Sequence, residues 1–351
     1  VVDIAIVGYA QSPSLRQAEL TEPQFLFPVI TEAIERAGVA RRDIGFTCAG
    51  SCDYLSGQTF AFVSNLEAVG AWPPISESHV EMDGAWALYE AWVRLQHGDL
   101  DLALAFGSGK SSPGLPSEIY PLQMDPYTLT PLGADPVSLA ALQARAMLDK
   151  GTITEREMAE IAARSRRNAA NNPYAQVRGS ADADTLVKEP YVTAPLRMHD
   201  LPPISDGACA VVLATADKAR ALGGTPVWIR GIDHRVEPHQ PGMRDLTESL
   251  STRQAGTHAG VNGARVDVAE VSATFSHQER LLREALGLRD DVDVNPSGGP
   301  LAANPVMAVG LARIAEAARA VAERGAHRAV AHATSGQCLQ QNLVCVLEGD
   351  A

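Results

Sequence analysis

The chain is 351 residues long, more than one ordinary domain, and 46% hydrophobic with only 5% aromatic residues, so a large core must be built mainly from Ala, Val, Leu and Gly. A net charge of −13 without any basic run excludes a nucleic-acid footprint. No stretch of about 20 apolar residues offers a membrane span.

In chain order, a strand is predicted over residues 3–8, a helix over 22–37, a strand over 43–48, a helix over 85–96 and a strand over 100–106. Helices near 134–148 and 155–168 follow, then strands over 208–215, 227–232 and 268–275. Helices over 280–286 and 305–323 and strands over 327–333 and 342–347 complete the order. Alternating strands and helices predict an α/β fold made of βαβ units.

A repeat runs through this order. GDLDLALAFGSG from Gly98 is matched by GAHRAVAHATSG from Gly325, an offset of 227 residues. RRDIGFTCAGS from Arg41 is matched by ARVDVAEVSATFS from Ala264, with Asp43 against Asp267 at an offset of 224. The strand at 208–215 echoes 342–348. Three pairs predict two related α/β halves, at 1–215 and 225–351. Residues 110–203, rich in Pro, Tyr and Asn, have no counterpart and read as a long insertion covering one end of the first half. Residues 256–266 read as a short flexible connector.

The five cysteines, Cys48, Cys52, Cys209, Cys338 and Cys345, form no CxxC pair and have no His at metal spacing, which suits free thiols in a reducing compartment. The first ten residues lack the charge pattern of a signal peptide, so a cytoplasmic protein is expected. No GxGxxG follows a first strand, since Gly8 stands alone in VGYAQSP, and a dinucleotide site is therefore not expected.

The motifs carry a resemblance. AANNPYA from Ala169, PLRMHDLPPISDGACAVVL from Pro195, NPSGGPLAANPVMAVG from Asn295 and CLQQN from Cys338 resemble segments of the thiolase superfamily, in its sterol-carrier-type and bacterial lipid-transfer-protein branch. That resemblance implies a five-layer αβαβα thiolase fold with a long loop domain in the first half, and a CoA thioester as substrate rather than a bound cofactor. It also implies where chemistry would lie. The nucleophilic-Cys position falls at Met82, one oxyanion histidine is replaced by Ser272 and the other by Asn304, and the acid/base Cys falls near Gly336 with Cys338 two residues on. A chain so altered is not expected to perform ordinary thiolytic cleavage.

Three readings remain open. The chain is an enzyme with altered chemistry, such as a retro-aldolase, whose base would be His277, His332, Asp83 or Glu279 and whose thioester-oxygen donor would be Asn304. Or it is a subunit without its own catalysis, paired through the first-half sheet edge with a paralogous thiolase-like chain, or with an OB-fold zinc-ribbon acyl-CoA protein. Or it carries lipid without chemistry. Individually, Asp83 reads as a helix N-cap or a replacement acid/base, Asn304 as an N-cap that also lines the site, Cys338 as a small buried hydrophobe or a catalytic thiol, and His332 as a core histidine or a base. Gly298 and Gly299 are expected to line the pocket floor, where glycine lets backbone approach a ligand.

Overall fold

The computed structural model describes residues 2–261 and 265–350. The first half runs β1 (Ile4–Gln11), α1 (Glu22–Arg36), β2 (Phe46–Gly50), α2 (Asp53–Ser56), α3 (Phe62–Val69), β3 (Glu77–Val80), α4 (Gly84–Leu95) and β4 (Leu102–Lys110). An insertion follows, with α5 (Pro116–Ile119), α6 (Pro136–Lys150), α7 (Glu155–Asn168), α8 (Ala183–Leu186) and the ribbon β5 (Tyr191–Thr193) and β6 (Leu196–Arg197). Strand β7 (Asp206–Thr215) closes the half, and α9 (Ala216–Leu222) leads out of it. The second half runs β8 (Val227–Val236), α10 (Leu250–His258), β9 (Val268–Val271), α11 (Ser276–Ala285), β10 (Asp293–Val294), α12 (Val309–Arg324), β11 (Arg328–Ser335) and β12 (Gln341–Glu348).

Ten strands hydrogen-bond in the order β10-β9-β11-β12-β8-β1-β7-β4-β2-β3. Read outward from the β1/β8 seam, the two arms repeat each other. In each, a parallel trio (β3-β2-β4 or β10-β9-β11) adjoins an antiparallel pair (β7-β1 or β12-β8). The seam is short, pairing Ile4, Ala5 and Ile6 with Ile229, Trp228 and Val227. The three repeated sequence segments fall on corresponding strands: β4 with β11, β2 with β9, and β7 with β12.

Period-two alternation assigns the layers. Cys209, Val211 and Leu213 of β7 join Leu343, Cys345 and Leu347 of β12 in one cluster, together with Leu88 of α4 and Leu311 and Ile314 of α12. The alternate residues point away, Ala210 and Val212 toward Leu26 and Ile30 of α1, Val344 and Val346 toward Leu281 and Leu282 of α11. Helices α4 and α12 therefore form the middle of five layers, αβαβα.

Some elements depart from the sequence expectations. Helix α12 starts at Val309 rather than at Pro305, because Met307 takes a left-handed φ of 75° that breaks the helix before it. The expected connector begins inside α10, which includes Gly256; its residues 262–264 lie outside the described residues. The insertion reaches further than expected. Its first part meets the first half, α5 packing on α2 and Gln123 Nε2 donating to Cys52 Sγ at 3.0 Å. Ala140, Ala144 and Met147 of α6 and Met158 and Ile161 of α7, however, bury against Phe275, Leu281 and Val294, so these two helices sit on the second half. Side-chain donors at helical spacing complete that attachment: Ser165 Oγ bonds Gly298 O at 2.6 Å, Asn168 Nδ2 bonds Asn295 O at 2.9 Å, and Asn172 Nδ2 bonds Ser297 O at 2.9 Å.

No helix among the described residues is long and apolar enough to cross a membrane.

Candidate functional site

The C-terminal ends of β4 and β11 meet at the starts of α4 and α12, Gly107 lying against Gly84 and Met307, and Gly310 against Ala333 and Asp83. Ends of this kind are where open α/β sheets place their ligands. The loops meeting there are packed to backbone contact. A Cβ on Gly107 would lie 2.2 Å from Met307 O, and one on Gly109 only 1.8 Å from Val306 O, so the C-terminal end of β4 requires glycine at both positions.

Asp83 is the centre of this junction. As the N-cap of α4 its Oδ1 accepts from Ala85 N at 2.8 Å. The same carboxylate accepts from Gly310 N and Leu311 N, each at 2.9 Å, and so caps α12 as well. Helix α12 needs this help, because its own N-cap residue is Ala308, with no side-chain oxygen. The positive ends of both middle-layer helices thus converge on one buried anion. Burial is the largest influence and leaves the Asp83 carboxyl above its ordinary range, the three N–H bonds and the nearby Arg313 charge offsetting only part of it. All its hydrogen-bond partners are donors, so a proton on it would have no acceptor, and the carboxylate is the form this cage fits. Helix α4 contains no cysteine, and Met82 is half-buried against the inner core.

The other predicted residues separate into distinct surroundings. His332 is fully buried; Nδ1 accepts from Ser272 N at 3.3 Å and Nε2 meets Asn342 Oδ1 at 2.9 Å, which assigns the proton to Nε2. Ser272 is buried, and its hydroxyl has no partner among the described residues. His277 is also fully buried, with Nε2 3.1 Å from Gln143 Oε1 and Nδ1 unpartnered among the described residues. Cys338, at φ 52°, gives its thiol to Leu139 O at 3.4 Å, and burial pushes its pKa up to about 11. Glu279 is buried in an ion pair with Arg164, which removes it as a free base.

Asn304 does not cap α12, whose cap is Asp83. Its backbone N–H bonds Ser205 Oγ at 3.0 Å, and its buried amide makes no hydrogen bond among the described residues. Gly298, at φ 99°, borders no open space, since a Cβ there would lie 2.7 Å from both Ala169 and Ala302. Gly299 does border a small polar cleft, with Gln11, Asn172, Ser297 and Arg313.

The two histidines make the fold acid-sensitive. Burial lowers His277 from 6.5 to about 3 and His332 to about 4, so both are neutral when folded and take up protons near pH 6.5 when unfolded. The unfolded state then binds more protons below that pH, and stability present above it is lost as pH falls toward 4, by about 1.4 kcal/mol per histidine per pH unit. Urea midpoints between pH 7 and 5 should show this slope, and His332→Gln should flatten it by about half. An unchanged slope would contradict the burial argument.

Two features were not anticipated from sequence. The first is a buried ion pair, Arg313 with Glu270 at 2.6 Å, tied to both N–H and Oγ of Ser297. A lone Glu inside the apolar strand VAEV was the signal, because a buried charge demands a partner. The second is an open groove of about 440 Å³ between the insertion (Leu129, Leu132, Leu139, Leu142) and the second half (Gln240, Pro241, Gly242), with Cys338 packed behind Leu139. Among the described residues no three His, Cys, Asp or Glu side chains gather to hold a metal.

The sequence is 30% identical to an acetyl-CoA acetyltransferase, a thiolase, of Methanothermobacter thermautotrophicus, across 90% of this chain and 89% of the relative. The chain belongs to the thiolase family. This thiolase-family chain is also 24% identical to the 17-hydroxy-3-oxo-4-pregnene-20-carboxyl-CoA lyase of Mycobacterium tuberculosis, across 81% of the chain and 78% of the lyase. The solved structure of the Ltp2-ChsH2(DUF35) aldolase superposes with a TM-score of 0.82 over 99% of the chain and 98% of its own, at 20% identity, which establishes the common fold. No protein-family model matches the chain.

Proposed function

We propose that this thiolase-like chain is a subunit of a heteromeric complex that cleaves a carbon–carbon bond in an acyl-CoA, with a steroid or other lipid side chain as the acyl part, and that it supplies no nucleophile or base of its own. The observation that carries the reading is the Asp83 carboxylate. In the family resemblance, the start of α4 holds the reacting thiolate, where helix N-terminal N–H groups stabilise negative charge. Here those groups, and those of α12, already hold an internal anion. Of the remaining candidates, His332 is engaged by Asn342 and Ser272, Cys338 by Leu139 and Glu279 by Arg164, while His277 is fully buried and held through Nε2 by Gln143, with only its Nδ1 unpartnered among the described residues. The names of the relatives, a steroid-carboxyl-CoA lyase and a two-component aldolase, support the substrate class and the heteromeric state.

In this reading the groove beside Cys338 receives the thioester. A paralogous thiolase-like chain pairs along β3, the edge strand of the first-half arm, near the exposed Tyr54, Phe60 and Trp72. An OB-fold zinc-ribbon protein is the second partner in this reading, supported by the second component, ChsH2(DUF35), in the name of the superposed aldolase, and the cytoplasm is the expected location. The domain division at 1–215 and 225–351, with 110–203 as loop domain, follows the repeat.

One observation favours a second reading, a retro-aldolase in its own right: the Asn304 amide is free to donate to a developing enolate oxygen. Co-expression with both partners separates the two. Turnover of a β-hydroxyacyl-CoA only in the complex, unaffected by Asn304→Ala, is the expected result. Turnover by the isolated chain that Asn304→Ala abolishes would overturn the subunit reading.

A further inference from the structure

Gln143 is a polar residue on an otherwise apolar face of α6, between Leu139, Ala140, Ala144 and Met147, and it is fully buried. A buried amide offers two donors and two acceptor sites, and each one left unmade costs free energy. Gln143 uses all four. Its Oε1 accepts from Gln278 Nε2 at 3.0 Å and faces His277 Nε2 at 3.1 Å. Its Nε2 donates to Leu246 O at 3.1 Å and reaches Cys338 O at 3.5 Å. One side chain therefore joins four segments: the groove wall on α6, the segment after Gly242 that forms the opposite wall, the Cys338 loop and the start of α11. Arg244 fastens the same loop, donating from Nη1 to Cys338 O at 2.9 Å and from Nη2 to Gln337 O at 2.5 Å.

We propose that Gln143 is the positioning residue of the groove, a single buried amide that fixes the separation of its two walls and the orientation of His277 behind them. The amide lies one helical turn from Leu139 and next to Leu142, both of which line the groove. Apolar packing alone would let the walls slide, because it is non-directional, whereas two donor and two acceptor directions set a register. The wall geometry stands on these contacts; its bearing on thioester binding rests on the function proposed above.

The test uses the full chain with spin labels at Leu132→Cys and Met243→Cys. Both positions are exposed, Leu132 in one wall and Met243 directly after Gly242 of the other, while all five native cysteines are buried against labelling. The parent should give one narrow interlabel distance, and Gln143→Leu, which keeps the bulk and removes the bonds, should give a longer and broader one. A residue that only adds stability would lower the melting temperature and leave the distance of the folded molecules as it was; that result overturns the proposal. Gln143→Glu provides the second readout should the leucine variant not fold. It keeps the acceptors facing His277 and adds a charge, so the His277 imidazole, monitored by NMR, should titrate at a higher pH than in the parent. An unmoved His277 titration would equally overturn it. Neither readout requires a ligand, so failure here is distinguishable from failure of the acyl-CoA reading.

Discussion

Asp83→Ala should lower the unfolding free energy by about 3–5 kcal/mol, among the largest effects of any single substitution in this chain. The substitution removes acceptors from three buried N–H groups, those of Ala85, Gly310 and Leu311, and each orphaned donor costs about 1–3 kcal/mol before relaxation. It also uncaps two helices at once, where one lost cap costs about 1 kcal/mol. Cavity collapse recovers part of that sum. Asp83→Asn keeps the shape and one acceptor but turns an amide donor toward a backbone donor, so roughly half the loss should remain. Urea unfolding at pH 7 measures both, and a loss below about 1 kcal/mol for the alanine variant would show that the two helices do not depend on this carboxylate. That outcome would also remove the main support for a site whose positive helix ends are already occupied.

Arg313→Met should cost a similar amount, about 3–5 kcal/mol, for a different reason. Glu270 and Arg313 are both buried, and the methionine would leave a carboxylate in the interior without its cation. The second substitution Glu270→Gln should then recover most of the loss. It removes the stranded charge, keeps an oxygen for the Ser297 N–H and Oγ, and needs no cation. If the double variant is no more stable than Arg313→Met alone, the penalty came from lost packing of the arginine stem rather than from the unpaired charge. The pair can be tested separately from Asp83 only with care: Asp83 senses the Arg313 charge, so the two effects are not expected to add.

The repeat of strands was legible because buried parallel strands read as apolar runs, and Gly98 and Gly325 mark equivalent helix ends before them. The two halves follow from that pattern, whereas the five layers were expected from the family resemblance. Residues 53–80 were not legible. Helices α2 and α3 and the edge strand β3 are short and half-exposed, and the strand ESHV carries no apolar alternation. The start of α12 was misplaced because Asn304-Pro305 looks like a local cap, whereas the true cap comes from Asp83, more than two hundred residues earlier in the chain. Local reading cannot see that distance. Asp83 itself was recognised as a cap of α4 from its place before GAWAL; its second helix was invisible. The insertion was read onto the first half alone for a related reason. Sequence gives the strand it follows, but the apolar faces of α6 and α7 decide where it lands. Gln143 was overlooked as one polar residue in a helical pattern, although a glutamine on the apolar face of α6 is the same kind of signal as Glu270 in β9.

The seam at β1 has a consequence for how the protein is made. Ile4 lies beside Thr215 on one side and Ile229 on the other, so this apolar strand, once it leaves the ribosome, waits for more than two hundred further residues before either neighbour exists. At ordinary elongation rates that interval is about 10–40 s. Throughout it, the segment IAIVGYA lacks both of its native neighbours, and an unpaired apolar strand of this kind is exposed to aggregation until β7 and β8 are made.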